Sequence, residues 1–186
     1  RRQRQMCIRD RNSLCLGCGL CEALDKENCK MVINQEGFYE PIFRDQHRID
    51  HKVITKICPG IVVHSQVTNQ SIWGNVKIVA NAWASDSEIR KSSSSGGVTS
   101  ALAISLLETK KVDAVLHVGV EEGTYLYNRL YASTTKEDIL SRNASRYAPA
   151  AIFNNIIELL EAEKTYAFIG KPCDIAAMQN FTKIHP

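Results

Sequence analysis

The sequence predicts an α+β protein in which a small cysteine-rich segment precedes an incomplete α/β region with a mostly parallel sheet. Three observations predict it. Four of the seven cysteines fall between residues 15 and 29, among short elements and turn residues. Beyond residue 72, apolar runs of strand length alternate with stretches of helical spacing, the pattern of parallel strands joined by crossovers. The 186 residues are 44% apolar and 23% charged, which supplies a packed core and is unlike a disordered tail.

Residues 1–11 hold Arg1, Arg2, Arg4, Arg9 and Arg11 against Asp10, a local charge of +4, so the rest of this +3 chain sums to −1. Basicity confined to one end reads as a disordered or artefactual terminus. A nucleic-acid-binding arm is the alternative, and nucleic acid is not the expected partner. In 12–65, Gln35-Glu36-Gly37 is a hairpin tip and Phe38-Tyr39-Glu40-Pro41 the returning strand. After a polar connector at 68–71, a strand is expected at 76–83. A helix follows at 97–110, with Val98, Ala101, Leu102, Ser105 and Leu106 on one face, and then a buried strand at 112–120. Thr134 stands three residues before Glu137, a capping box that opens a short helix to Ser141. A second helix is expected at 150–164 on the stripe Ile152, Ile156, Ile157 and Leu160, then a strand at 166–169 and a helix at 173–181. Three strands make a thin sheet, so 72–186 is expected to be a truncated domain beside a separate one at 12–65. No run of 18 apolar residues occurs and the Arg-rich opening has no apolar stretch behind it, so no membrane partner is expected and the chain reads as cytoplasmic.

The cysteines stand at 7, 15, 18, 21, 29, 58 and 173, an odd total without an export signal, which argues against a disulfide framework. Cys15, Cys18 and Cys21 form C-x2-C-x2-C, a compact loop whose three thiolates reach three corners of a 4Fe–4S cube. Zinc is a weaker fit, because structural zinc draws two ligands from each of two knuckles. Gly17 and Gly19 let the backbone curl closely around a cofactor. Cys58, followed by Pro59, is the obvious fourth ligand. Cys29 is its rival, or else a small buried hydrophobe. A segment of this size has little core of its own, so the cofactor of a ferredoxin-like 12–65 would supply much of what holds it together.

Three loops suit an anion. Ser92, Ser93, Ser94, Ser95, Gly96 and Gly97 run directly into a predicted helix that carries Thr99 in its first turn. Free N–H groups and the helix dipole would converge there on a phosphate. Such runs also serve as linkers, but Arg90 and Lys91 just upstream favour the anion. In Gly170-Lys171-Pro172-Cys173-Asp174 the glycine permits a turn, Pro172 fixes the first helical turn and Lys171 supplies charge. Cys173 at that helix start is a redox thiol, a ligand or a packing residue. In 141–147, Ser145 and Arg146 suit a phosphate and Tyr147 suits a ring, with solvated surface as the alternative. His117 lies in an apolar strand and reads as a core residue rather than a catalyst. No loop matches G-x-G-x-x-G or the P-loop pattern, and no Ser-His-Asp order or carboxylate pair stands out for hydrolysis.

Several motifs fall in a familiar order: C-x2-C-G-x-C at 15–21, C-P-G at 58–60, W-G-N at 73–75, S-S-G-G-V at 94–98, V-D-A-V at 112–115, S-R-Y-A-P at 145–149 and G-K-P-C-D-I-A-A at 170–177. The ordered set resembles the coenzyme F420 hydrogenase/dehydrogenase beta-subunit family of iron–sulfur flavoproteins and spans 12–186. The resemblance implies an oxidoreductase module that passes electrons between a 4Fe–4S cluster and FAD. It implies Cys15, Cys18, Cys21 and Cys58 as metal ligands. Arg90, Ser94, Ser95, Gly96, Gly97, Thr99, Ser145, Arg146, Tyr147, Lys171 and Pro172 would surround the flavin, with Lys171 and Cys173 as catalytic candidates. A redox partner protein or subunit and a small-molecule substrate follow, a deazaflavin coenzyme in the family's hydrogenase members.

Overall fold

The computed structural model describes residues 14–64, 72–124 and 126–185, so the basic terminus with Cys7 and the connector at 68–71 lie outside the described residues. Helix α1 (Leu20–Leu24) is followed by β1 (Cys29–Ile33), which pairs antiparallel with β2 (Tyr39–Phe43), Cys29 facing Phe43 and Ile33 facing Tyr39. The hairpin tip forms where expected. Asn34 Oδ1 accepts the N–H groups of Glu36 and Phe38, the local bonding that lets Asn seed a turn. Helix α2 (His51–Ile57) is capped by Asp50, whose side chain accepts from Lys52 and Val53, and it ends on Cys58.

The second part opens with α3 (Ser87–Ser92), a 3-10 turn at Ser95–Gly97, and α4 (Val98–Glu108). Then come β3 (Ala114–Val120), β4 (Asn128–Ser133), α5 (Lys136–Ser141), α6 (Ile156–Leu159), β5 (Tyr166–Phe168) and α7 (Pro172–Thr182). The sheet order is β4-β3-β5, with β3 parallel to β5 and antiparallel to β4. It is therefore a mixed sheet rather than a mostly parallel one. The chain turns back between β3 and β4, with Glu121 donating its N–H to Tyr127, and a connection that short cannot make a parallel crossover. β4 was not foreseen, although buried Asn128 and Leu130 alternate with exposed Arg129 in the period of a strand.

Three expected elements take another form. Residues 76–83 join neither sheet, and Val76, Ile78, Val79 and Trp83 are exposed; strand propensity without a neighbouring strand makes no ladder. The helix expected at 150–164 is reduced to α6, because the Phe153 N–H is drawn to the Cys18 carbonyl and that of Asn154 to Ala151. The expected stripe buries only in part: Ile152 and Ile156 are inaccessible, as is Phe153 beside them, while Ile157 is 47% exposed. The helix is capped one residue later than expected and without the reciprocal box: Thr135 Oγ1 accepts from Asp138 N–H, while Asp138 Oδ2 accepts from the N–H of Thr134, which precedes the cap.

The main core joins both parts of the chain. Leu20, Cys21, Cys29, Ile54, Ile57 and Cys58 pack in one cluster with Leu116, Leu130, Ile152, Phe153, Ile156 and Phe181. A second cluster packs α3, α4 and α5 on the opposite face of β3 through Ile89, Ala103, Ile104, Val115 and Ile139. Among the described residues no helix is long and apolar enough to cross a membrane.

Candidate functional site

The thiol loop is shaped by two glycines. Gly19, at φ +90°, caps α1, and a Cβ there would lie 2.9 Å from Asn154 N. Gly60 brings the chain after Cys58 against residue 14, where a Cβ would fall 2.3 Å from the Leu14 carbonyl oxygen. Cys21 and Cys58 are buried, and Cys15 and Cys18 are half-buried. Burial pushes the Cys18 thiol pKa up, and the charges of Cys21, Cys58 and Cys15 add to the rise while the Leu20 N–H opposes it. Cys18 thus lies within electrostatic reach of the other three thiols expected as ligands. Cys29 sits differently: it pairs by hydrogen bond with Cys21, which with burial raises its pKa, and it packs inside the core at β1.

Among the described residues no three His, Cys, Asp or Glu side chains gather as tightly as one metal ion requires. Zinc needs its sulfur ligands about 2.3 Å from a single point, whereas a cube is gripped at its corners by thiols that stand wider apart.

Across the molecule the three anion loops meet on one cleft of about 530 Å³, within the range of small-molecule sites. Its walls include Ser94, Ser95, Gly97 and Thr99 from the first loop, Ser145, Arg146 and Tyr147 from the third, and Lys171 from the second. The first and third loops are stitched together. Asn143 Nδ2 donates to Ser92 Oγ at 3.0 Å and Ser93 Oγ at 3.1 Å, and Ser145 N–H donates to Ser94 Oγ at 3.2 Å. Ser95 and Thr99 line the cleft at the start of α4, where no side chain caps the helix. Arg146 is held by Nε donating to Asn128 Oδ1 at 3.0 Å, and Tyr147 stands 98% exposed on the cleft wall.

Other expected residues lie outside the cleft lining. Arg90 donates through Nη1 to the Ala84 carbonyl at 2.9 Å. Gly96 turns the chain at φ +76°, and Pro172 begins α7. Cys173 places its sulfur 3.8 Å from Asp174 Oδ1. Conversely, His117, Asn128, Arg142 and Asp174 line the cleft without having been singled out for it. His117 is buried, with Nε2 2.8 Å from Ser133 Oγ; burial first, then the Arg142 charge, push its pKa down to about 4. It is thus a satisfied core histidine, as expected, and also a neutral polar group on the cleft wall. A polar residue inside an apolar strand was the available signal. Arg142 stacks over the Tyr131 ring at 4.3 Å and pairs with Asp138.

Residues 148–153 connect the two regions. Ala148 and Ala150 line the cleft, and Phe153, three residues further on, bonds to the Cys18 carbonyl at 2.8 Å.

Comparison with known proteins first defines the class. Residues 79–157, which carry the first and third cleft loops, match the family model described as the N-terminal part of the coenzyme F420 hydrogenase/dehydrogenase beta subunit. Over 117 residues the chain is 31% identical to the coenzyme F420 hydrogenase subunit beta of Methanococcus voltae. That alignment covers 60% of this chain and 40% of the relative, so the chain spans well under two thirds of the relative's length. Both matches point to the coenzyme F420 hydrogenase/dehydrogenase beta-subunit family, the one that the ordered motifs resemble.

Proposed function

We propose that the chain is an electron-transferring oxidoreductase module in which Cys15, Cys18, Cys21 and Cys58 hold a 4Fe–4S cluster and the cleft holds FAD. The observation that carries this is convergence. Loops near residues 95, 145 and 171 meet on one cleft, and the segment lining it bonds directly to the cysteine loop. A flavin exchanges two electrons as hydride while a cluster carries one at a time, so the pair converts between the two currencies when both are bound.

The residues have separable tasks. Ser95, Thr99 and the uncapped amides at the start of α4 receive a phosphate, and Arg146, already oriented by Asn128, neutralises it. Tyr147 offers its ring to a planar group at the mouth. Lys171 and Cys173 stand beside the cleft end formed by α7 as candidates to touch the reacting part. Backbone N–H groups of the glycine-containing cysteine loop are available to sulfur, the usual lever on cluster potential. In this reading 12–65 is a ferredoxin-like carrier domain and 72–186 the flavin-binding part. The module works in the cytoplasm with a redox partner subunit on a small molecule, a deazaflavin coenzyme or a biosynthetic intermediate.

The test is anaerobic purification followed by absorption spectroscopy and metal analysis. Broad cluster absorption, resolved flavin peaks and iron lost in Cys58→Ser are the expected result. Protein that carries zinc without iron, or that takes up neither iron nor FAD on reconstitution, overturns it.

A further inference from the structure

A second cavity, of about 320 Å³, shares only Asn128 with the cleft. Its wall carries both signs of charge: Glu22, Glu121 and Glu158 against Lys26, Lys30 and Arg129. Two of the acids are already answered from within. Lys26 pairs with Glu158, and Lys30 Nζ stands 3.5 Å from Glu22 Oε1, while Glu22 Oε2 accepts the Met31 N–H at 2.9 Å. Glu121 and Arg129 take part in no ion pair among the described residues. The wall also includes Asn155, which is 5% exposed. Its Nδ2 donates to the Leu130 carbonyl at 3.5 Å, but its Oδ1 is buried and accepts no hydrogen bond. Exchanging the two ends of the amide would set an oxygen against that carbonyl, so the group left over is an acceptor.

Three demands are therefore unmet on this wall: a donor for Asn155 Oδ1, a cation for Glu121 and an anion for Arg129. A water molecule answers the first alone. A bare metal ion is a poor match, because no three His, Cys, Asp or Glu side chains among the described residues close on one point and the wall also holds three bases. A phosphate would meet the three carboxylates. A small molecule with both an ammonium and a carboxylate answers all three demands and leaves the charge balance of the wall as it is. The volume lies near the lower end for small-molecule sites, which suits a ligand of that size.

We propose that this cavity binds a small zwitterion of the free α-amino acid class, with its N–H donors taken by Glu121 and Asn155 Oδ1 and its carboxylate by Arg129. Tyr39 completes the wall as a neutral group. Burial, then the charges of Glu121, Tyr127 and Glu22, push its pKa up, so its hydroxyl stays protonated and both donates and accepts. The site depends on neither the cluster nor the flavin.

The test screens the whole chain against each standard α-amino acid in turn by saturation-transfer NMR. The tightest binder is then titrated by calorimetry beside its des-amino and its decarboxylated forms. Binding of at least one amino acid is expected, with each truncated form weaker by about tenfold or more, the scale of one charged hydrogen bond. Glu121→Gln and Arg129→Gln are each expected to weaken the amino acid about fivefold or more, and Asn155→Leu about tenfold or more. Arg146→Gln, which removes a charge from the cleft instead, is expected to leave the affinity within about twofold. Three results overturn the proposal: no amino acid binds, a truncated form binds as well as its parent, or affinity falls in Arg146→Gln and holds in Arg129→Gln. If Asn155→Leu does not melt cooperatively, the variants at half-buried Glu121 and exposed Arg129 decide, and unchanged affinity in both overturns the proposal.

Discussion

The cysteine loop and the cleft flank the same stretch of chain and are built from opposite materials. The cysteine loop is anchored by burial, with Leu20, Cys21, Ile57 and Cys58 packed against Phe153 and Ile156, and with glycines where no Cβ fits. The cleft is assembled largely by partly exposed polar side chains, above all half-buried Asn143, which reaches across 51 residues to Ser92 and 50 to Ser93. A site tied into the core holds its geometry before a cofactor arrives but fails with the fold. One tied by surface hydrogen bonds can adapt to a ligand and fail alone.

The comparison breaks most visibly at Phe153, which is inaccessible and lies 5.5 Å from Phe168, ring centre to ring centre. Phe153→Ala is expected to cost about 3–5 kcal/mol of unfolding free energy in a urea titration and to speed thiol labelling at the cysteine loop. A cost below about 1 kcal/mol would mean that the loop does not depend on the core.

A second test uses acid. In the folded chain the His117 pKa is pushed from 6.5 down to about 4 by burial and then by Arg142. Between those values the unfolded chain binds a proton that the folded chain refuses, so this stability is whole above pH 6.5 and declines as pH falls toward 4. The decline is expected to be on the order of 2 kcal/mol, read from melts at stepped pH, and to be absent in His117→Gln. An identical acid profile in that variant would sink the assignment. Because His117 joins the cleft wall to β3, its loss also tests whether the cleft is as separable from the core as the polar stitching suggests.

The smallest effect belongs to the cleft wall. Asn143→Ala removes two hydrogen bonds from a partly exposed link and is expected to cost about 1 kcal/mol or less in stability, with a larger proportional loss of FAD affinity by titration. If the melting temperature falls as far as it does in Phe153→Ala, the contrast between the two regions is wrong.

Legibility followed the same divide. The hairpin at Gly37, α4, β3, β5 and α7 were readable because turn chemistry and apolar period are local properties. The three stretches read as loops do line one cleft, and two of them, where serine, glycine and lysine cluster, stand at helix starts. What escaped depended on distant partners. The stretch 150–155 has a helical apolar stripe, yet its amides serve Cys18 and Ala151. Residues 76–83 have strand composition and no strand beside them. The bond from Arg90 to a carbonyl six residues back was not readable, nor was that from the Asp174 carboxylate to the residue 171 amide, because only the folded loops bring those groups together.

The bond from Phe153 to Cys18 has a metric consequence. Three residue steps separate it from Ala150 on the cleft wall, and three steps of polypeptide reach no further than about 11 Å. The gap between cleft and cysteine loop is thereby set by an integer. Substitutions can retouch either side, but only adding or deleting a residue between 150 and 153 would lengthen or shorten the bridge.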